Sequence, residues 1–435
     1  MAWRKRLAVL ALASVFASSC GSATYPKERV AEALVNLCRS EYGIEIKAQR
    51  VNTTLGVVAP IPGLVDAMRR SAGSSSGLQL PGILVEGRYT EKAFDFRVFA
   101  RGQFTRVKKE PEKDSGKPKE PEAPLKKLQQ VSTALHRVCL STNAPLEFYQ
   151  LIARDPGPEK LDVIFSGHVM DSKRIQFYDI SMEELQARSQ FSVRIQPEAL
   201  AEQTVTNFFR DLRRLTLPKL LSLYTAPSQR FGEILPKMLS VAAELKGDEE
   251  RLLDQKWFTR QIDRETVLVV VPLKVLDKPG ALLFTVLIRE NAGSFVDIAF
   301  LQDGILPEKY RPLGLPEHWV ESFFLEPLSL PDFLADQIAK RVMGEFKPMG
   351  EEEKGVETAK KPPVRRPKEQ EKPATPEEVT RVVVETAAYV VQSYEFKSFQ
   401  KLSIVDALRG TRWAVPAADL PLYRRRNPPD LKPIP

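Results

Sequence analysis

The chain's three histidines and three cysteines are the residues whose side chains could bind a metal ion or act as nucleophiles. His136 and Cys139 are three residues apart in a helical pattern, so both could face one metal ion. No second pair follows at metal-ligand spacing, and the pattern is more typical of a surface histidine beside a core cysteine. We therefore expect no metal site and no cofactor. We expect His168 to lie in a turn and His318 in a loop anchored by its aromatic neighbour.

Two aspartates, Asp162 and Asp297, occupy equivalent places in the similar segments 151–165 and 287–300. A carboxylate pair can hydrolyse a bond when a buried pocket raises the pKa of one member. An aspartate at the start of a strand more often closes a turn or pairs with a lysine. The sequence has no Gly-x-Ser-x-Gly elbow, no phosphate-binding Gly-rich loop and no His-Glu-x-x-His motif. We therefore assign no catalytic residue, and a hydrolase that uses Asp162 or Asp297 is the alternative.

The first twenty residues have the order of a secretory signal: basic residues at 4–6, an apolar run at 7–16, and small residues before Cys20. The apolar run is about ten residues long, whereas a helix that spans a bilayer needs about 20. Charges interrupt every later apolar run before it reaches that length. We expect residues 1–19 to be a signal peptide and the mature chain to lack a transmembrane helix.

The end of this signal, Ala17-Ser18-Ser19-Cys20, resembles the lipobox of bacterial lipoproteins, although that family usually has leucine where Ala17 stands. An ordinary signal peptidase could also cleave here. The resemblance implies that Cys20 carries the lipid and anchors the protein to the periplasmic face of a membrane. No aspartate follows Cys20, which favours the outer membrane. The body of the chain resembles uncharacterised predicted lipoproteins of candidate bacterial phyla, and this likeness implies no activity.

The charge of the chain disfavours nucleic acid as a partner. Removing the signal removes three of the 64 basic residues, which leaves 61 against 56 acidic residues. This balance is mild, and no concentrated basic face is evident. We expect the membrane as a partner through the lipid, and an envelope protein or peptidoglycan as a second partner.

Two segments predict linkers, because they mix charges of both signs with repeated proline and lack apolar side chains. Such segments cannot bury enough surface to offset the ordering of the backbone, about 1–2 kcal/mol per residue. They divide a chain of 435 residues, long enough for about two to four domains, into separate parts. The predicted division is: signal peptide 1–19; tethered α+β module 20–107; linker 108–127; α+β module 128–195; helices and an α+β module 196–346; linker 347–374; small helical domain 375–422; basic proline-rich tail 423–435.

Internal similarities predict how these modules fold. The stretches 33–40 and 134–141 each end a helical pattern and lead into an alternating strand pattern. The segments around Asp162 and Asp297 read as hairpins, with turns at Pro156-Gly157 and Ala292-Gly293. Ser181, Ser329 and Thr375 have the spacing of helix N-caps, with acidic residues in the first turn. We predict an α+β fold of several small modules, each combining helices with antiparallel sheet, joined by linkers rich in proline and charge.

Cys38 and Cys139 end the two similar helices. In an exported chain they could form a disulfide, provided that their Cα atoms come within about 7 Å. The favoured interpretation is that each thiol packs in a core as a small hydrophobic group. For the whole chain we predict a lipid-anchored envelope protein that acts as a non-catalytic binding or scaffolding module. The alternative is an envelope hydrolase that acts on peptidoglycan or polysaccharide.

Overall fold

The computed structural model describes most of the chain from Tyr25 onward. The predicted signal peptide, Cys20 and most of both predicted linkers lie outside the described residues. The described ranges are 25–72, 83–100, 104–107, 122–212, 214–225, 256–275, 278–289, 291–302, 305–319, 323–325, 327–348, 373–425 and 428–434, together with Pro236 and Leu253.

Helices and strands alternate in groups along the chain, and the predicted α+β class is confirmed. The helices are α1 (Val30–Tyr42), α2 (Leu64–Ala72), α3 (Ala123–Ser141), α4 (Val169–Gln176), α5 (Met182–Arg188), α6 (Pro197–Leu212), α7 (Leu217–Tyr224), α8 (Leu330–Gly344) and α9 (Pro376–Ser393). The strands are β1 (Lys47–Val51), β2 (Thr54–Pro60), β3 (Ile83–Thr90), β4 (Ala93–Ala100), β5 (Phe104–Arg106), β6 (Phe148–Asp155), β7 (Leu161–His168), β8 (Gln190–Ile195), β9 (Phe258–Gln261), β10 (Thr266–Val275), β11 (Lys278–Arg289), β12 (Ala292–Gln302), β13 (Phe346–Pro348), β14 (Lys401–Asp406) and β15 (Arg412–Pro416).

The first sheet has the strand order β1-β2-β6-β7-β8, and α1, α2 and α3 cover one of its faces. In α1, Leu34, Leu37 and Cys38 recur at three- and four-residue spacing, so they share the buried face of the helix. The helix ends at Gly43, whose left-handed backbone (φ 64°) directs its N–H to the Arg39 carbonyl. Strand β2 is parallel to β6, with Thr54 beside Phe148, so two hairpins distant in sequence form one sheet.

The second sheet has the order β15-β14-β4-β3, and its central strands β4 and β14 are also parallel. Helices α8 and α9 pack on it around the buried rings of Phe94, Phe96 and Phe333. The short strands β5 and β13 pair beside this core. Both sheets therefore join two hairpins through a parallel central pair.

The predicted division into consecutive modules must be corrected, because the sheets do not follow it. The segments 20–107 and 128–195 share the first sheet, while hairpin β3–β4 of the former pairs with β14 in the second. Helix α8, predicted within 196–346, packs on the second sheet. The segment 375–422 is not a small helical domain, because α9 leads into the hairpin β14–β15. The physical reason is that the apolar face of β3–β4 is buried only when α8, α9 and β14 cover it.

The third sheet, β12-β11-β10-β9, is antiparallel and lies within the predicted segment 196–346. Helices α6 and α7 cover one face, where Phe208, Phe284 and Phe295 pack together. The hairpin β11–β12 turns ahead of the predicted Ala292-Gly293, since Arg289 already pairs with Ala292. Asn291 has the positive φ of 60° that this tight turn needs.

Several local predictions are confirmed at helix starts. The hydroxyls of Ser181, Ser329 and Thr375 each accept the backbone N–H three residues on, and Thr375 forms a capping box with Glu378. The predicted linker 108–127 is too long, because α3 begins at Ala123 and already buries Leu125 in the first core. Among the described residues, no helix is both long and apolar enough to cross a bilayer.

Candidate functional site

The face of the first sheet opposite its helices carries polar side chains where β6, β7 and β8 run side by side. Successive side chains of a strand point to opposite faces, so Tyr149 and Leu151 face the helices and Gln150 faces away. Gln150, Ser166 and Gln190 are neighbours across the three strands. The Gln150 amide donates to the Ser166 hydroxyl at 3.2 Å, so this polar row is ordered by its own hydrogen bond.

A second row across the same strands is ionic and consists of Arg154, Asp162 and Arg194. Asp162 is fully buried and accepts hydrogen bonds from Arg154 Nε at 3.0 Å and Nη2 at 3.3 Å. Arg194 Nη2 lies 3.5 Å from Asp162 Oδ2. Asp162 is thus paired with two guanidinium groups, and this structural pairing fits the non-catalytic interpretation of the sequence.

A cavity of about 330 Å³ lies over these rows, between the first sheet, the third sheet and α8. Its volume is near the lower end of the range of ligand sites, about 300–1,000 Å³. The wall from the first sheet consists of Gln150, Ile164, Ser166, Gln190, Phe191, Ser192 and Arg194. The opposite wall consists of Gln261, Arg264, Phe324, Leu328 and Asp336.

The lining consists mainly of side chains that form hydrogen bonds. In the part of the chain that the structure describes, Asp336 is its one carboxylate, and it includes no histidine, cysteine or lysine. Burial raises the pKa of Asp336, and Lys340 and the Gln190 amide offset only part of this effect. Acid–base hydrolysis uses two positioned titratable groups. Neither His168 nor Asp297 lines the cavity. The lining amides, hydroxyls and guanidinium groups can instead hold a polar ligand by hydrogen bonds.

A short segment before α8 closes one side of the cavity by crossing the first sheet. The Leu328 N–H donates to the Thr54 hydroxyl at 3.0 Å, which fixes the segment to β2. Leu325 is buried against Gly56, where an added Cβ would lie only 2.2 Å from its Cδ1 and 2.9 Å from its Cγ. Glycine at position 56 therefore makes room for this close approach.

Replacing Gly56 with alanine is expected to destabilise the protein by about 1–3 kcal/mol, because the new methyl group overpacks the contact with Leu325. Urea unfolding measures the change. In a Leu325→Ala background the same substitution should cost clearly less, since the space is vacated and the two positions are coupled. An equal cost in both backgrounds would show that this contact does not hold the segment.

The three histidines lie in different elements of the fold. His136 is buried in α3, not on the surface as expected, because the ring packs against Tyr149 between helix and sheet. Its Nδ1–H donates to the Ser132 carbonyl at 2.7 Å, and burial lowers its pKa. His168 caps the start of α4, where its Nδ1 accepts the Met170 N–H at 3.2 Å, and burial lowers its pKa as well.

The remaining candidates lie apart from the cavity. His318 is exposed, and the neighbouring Trp319 anchors its loop by donating from Nε1 to the Gly314 carbonyl at 3.1 Å. Asp297 on β12 faces Lys309 at 3.3 Å, which is the lysine pairing considered from the sequence. Within the described ranges, no group of three or more His, Cys, Asp or Glu residues could hold a metal ion.

Cys38 and Cys139 are free thiols in the shared core of the first sheet. Both are buried, and burial raises the pKa of each thiol to about 12. At neutral pH they are therefore protonated and poor nucleophiles. The geometry follows the buried-thiol interpretation rather than the disulfide.

A buried network of charges, which was not predicted from the sequence, lies between α4, α5, α8 and α9. Asp171 and Arg188 are almost fully buried, and Arg188 Nη1 donates to Asp171 Oδ1 at 2.9 Å. Arg188 Nε donates to Glu184 at 2.7 Å, and Arg341 Nη2 donates to the same carboxylate oxygen at 2.7 Å. The Tyr394 hydroxyl donates to Asp171. The network thus joins helices of the first sheet to helices of the second.

The opposite charges in this network stabilise each other's ionised forms. Burial alone would raise the pKa of Glu184, but Arg341 and Arg188 outweigh it and hold the pKa below its usual value. Burial alone would lower the pKa of Arg188, but Glu184 and Asp171 raise it instead. The only local signal in the sequence is the four-residue spacing of Glu184 and Arg188 on α5.

Comparisons with known proteins add no family to this description: no family model, no curated protein and no solved structure matches the chain.

Proposed function

We propose that the protein is a lipid-anchored protein of the bacterial cell envelope that binds a polar ligand without transforming it. The observation that carries the proposal is the cavity, whose described lining has amide, hydroxyl and guanidinium groups, one carboxylate and no histidine. Asp162, the buried candidate for catalysis, is engaged with two arginines. A ligand from peptidoglycan or from an envelope protein has the polar groups that this lining can bind.

Incubation with purified peptidoglycan tests this proposal against the alternative of a hydrolase. We expect the mature protein to leave sacculi and soluble fragments intact when new reducing ends and new amines are measured. Release of either product by the wild type, and its loss in Asp162→Asn or Asp297→Asn, would support the hydrolase and contradict the proposal. Heat-unfolded protein is the matched control for contaminating activity.

The anchor is tested separately from the binding site. The wild type is expected in the membrane fraction after lysis, and its mature N-terminus is expected to carry lipid on Cys20. Cys20→Ser should move the protein into the soluble fraction, because a lipid chain contributes about 0.8 kcal/mol of membrane affinity for each buried CH₂ group. A wild-type mature chain that is already soluble and unlipidated would contradict the anchor.

A further inference from the structure

Arg194 lines the cavity and makes only a long ion pair within the described part of the chain. Its one ion pair in the described residues is the 3.5 Å contact with Asp162, which already accepts two shorter hydrogen bonds from Arg154. The Arg194 Nε is buried, but the side chain as a whole is 37% exposed, so a ligand would meet the terminal nitrogens of the guanidinium group. A guanidinium group has five N–H donors, and one ion pair does not engage all of them.

Two guanidinium groups line the cavity from opposite walls. Arg264 faces the wall that carries Arg194, and Asp336 is the one carboxylate among the described lining residues. The next carboxylate along the ionic row, Glu198, lies 3.8 Å from Arg154, and burial raises its pKa. An anionic group between the two walls would accept hydrogen bonds from the terminal nitrogens of Arg194.

The volume of the cavity and its apolar side chains limit the size and the chemistry of the rest of the ligand. A cavity of about 330 Å³ holds a molecule of roughly dipeptide or monosaccharide size. Ile164, Phe324 and Leu328 provide apolar surface beside the polar groups. The ligand should therefore combine one anionic group with a small, partly apolar body.

We infer that the cavity binds a small organic anion, whose carboxylate or phosphate group is held by Arg194 and Arg264. This inference rests on the proposed function, since it names the ligand class of the same cavity. The planar fork of a guanidinium group matches the two oxygens of a carboxylate or phosphate. The side chains of Gln150, Gln190 and Gln261 also line the cavity.

Isothermal titration calorimetry, which measures the affinity of the protein for a set of matched small molecules, tests the inference. N-acetyl-alanyl-alanine, its C-terminal amide and phenyl phosphate differ in the group offered to the arginines. We expect binding of an anionic probe at millimolar concentration or below, and no binding of the amide. The stronger of the two anions identifies the source as a carboxylate or a phosphate. Arg194→Gln and Arg264→Gln should each weaken that binding by about tenfold or more. Arg39→Gln, at an exposed position of α1, is the control and should leave the binding unchanged.

Equal binding of the acid and its amide would overturn the inference, as would failure of both anions to bind. Unchanged affinity in Arg264→Gln would overturn the role of the pair, and this variant is informative even if Arg194→Gln fails to fold, because Arg264 lies outside the ionic row. The two proposals fail differently. Cleavage of peptidoglycan contradicts the proposed function, whereas loss of the preference for anions contradicts only the ligand class.

Discussion

Replacing Arg188 with methionine is expected to lower the free energy of unfolding by about 3–5 kcal/mol, the largest effect that the structure predicts for a single substitution. Arg188 donates to Asp171 at 2.9 Å and to Glu184 at 2.7 Å. Methionine fills a similar volume but leaves the buried Asp171 with Arg174, 3.6 Å away, as its nearest basic partner among the described residues. Removing one member of a buried ion pair leaves a poorly compensated charge, which costs more than the pair itself contributes.

Urea unfolding at neutral pH measures this effect, with Arg39→Met as the matched control. Arg39 pairs with Glu45 at 2.9 Å on the surface of α1, so its loss should cost less than about 1 kcal/mol. A second comparison is Tyr394→Phe, which removes one hydrogen bond to Asp171 and should have an intermediate effect. If Arg188→Met were no more destabilising than Arg39→Met, the network would not hold the two sheets together.

Gly87→Ala is expected to have the second largest effect on stability and to lower the free energy of unfolding by about 1–3 kcal/mol or more. Gly87 lies on β3 beneath α8, and an added Cβ would lie 2.6 Å from Phe96 Cε1 and 2.7 Å from the Ala335 carbonyl oxygen. Phe96 and Ala335 are both buried, so neither can move without disturbing the core of the second sheet. The methyl group should therefore lift α8 away from the sheet.

The control for this substitution lies on the same helix. Gly344 ends α8, and an added Cβ there would meet no atom within 4 Å. Gly344→Ala should leave stability unchanged or raise it by up to about 1 kcal/mol, since alanine favours helix over glycine. Similar midpoints of urea unfolding for the two variants would contradict the close packing of α8 on β3.

Local features of the fold were predictable from the sequence because their causes lie within a few residues. The caps at Ser181, Ser329 and Thr375 depend on a hydroxyl and the N–H three residues on. The buried face of α1 follows from the spacing of its apolar residues, and hairpin β6–β7 turns within the segment that holds Pro156-Gly157. Each signal is complete in one stretch of chain.

The assembly of the sheets was not predictable in the same way. Parallel pairing of β2 with β6 and of β4 with β14 joins strands separated by long connections, so no turn signals the pairing. The cavity combines three distant parts of the chain, represented by Arg194, Arg264 and Asp336. The charged network likewise depends on Arg341 and Tyr394, far in sequence from α5, and charged residues on a short helix ordinarily predict a solvated face.

The most direct test of the account is to ask whether the cavity is occupied in the cell. A photo-reactive diazirine amino acid at Ser192, in the cavity lining, should give a light-dependent adduct whose mass identifies a small anionic ligand or the ligand-bearing end of a larger partner. The same amino acid at Ser40, exposed on α1, is the control and should not give that adduct. An adduct specific to Ser192 is the predicted result. No adduct at Ser192, or the same adducts at both positions, would contradict a binding function for this cavity.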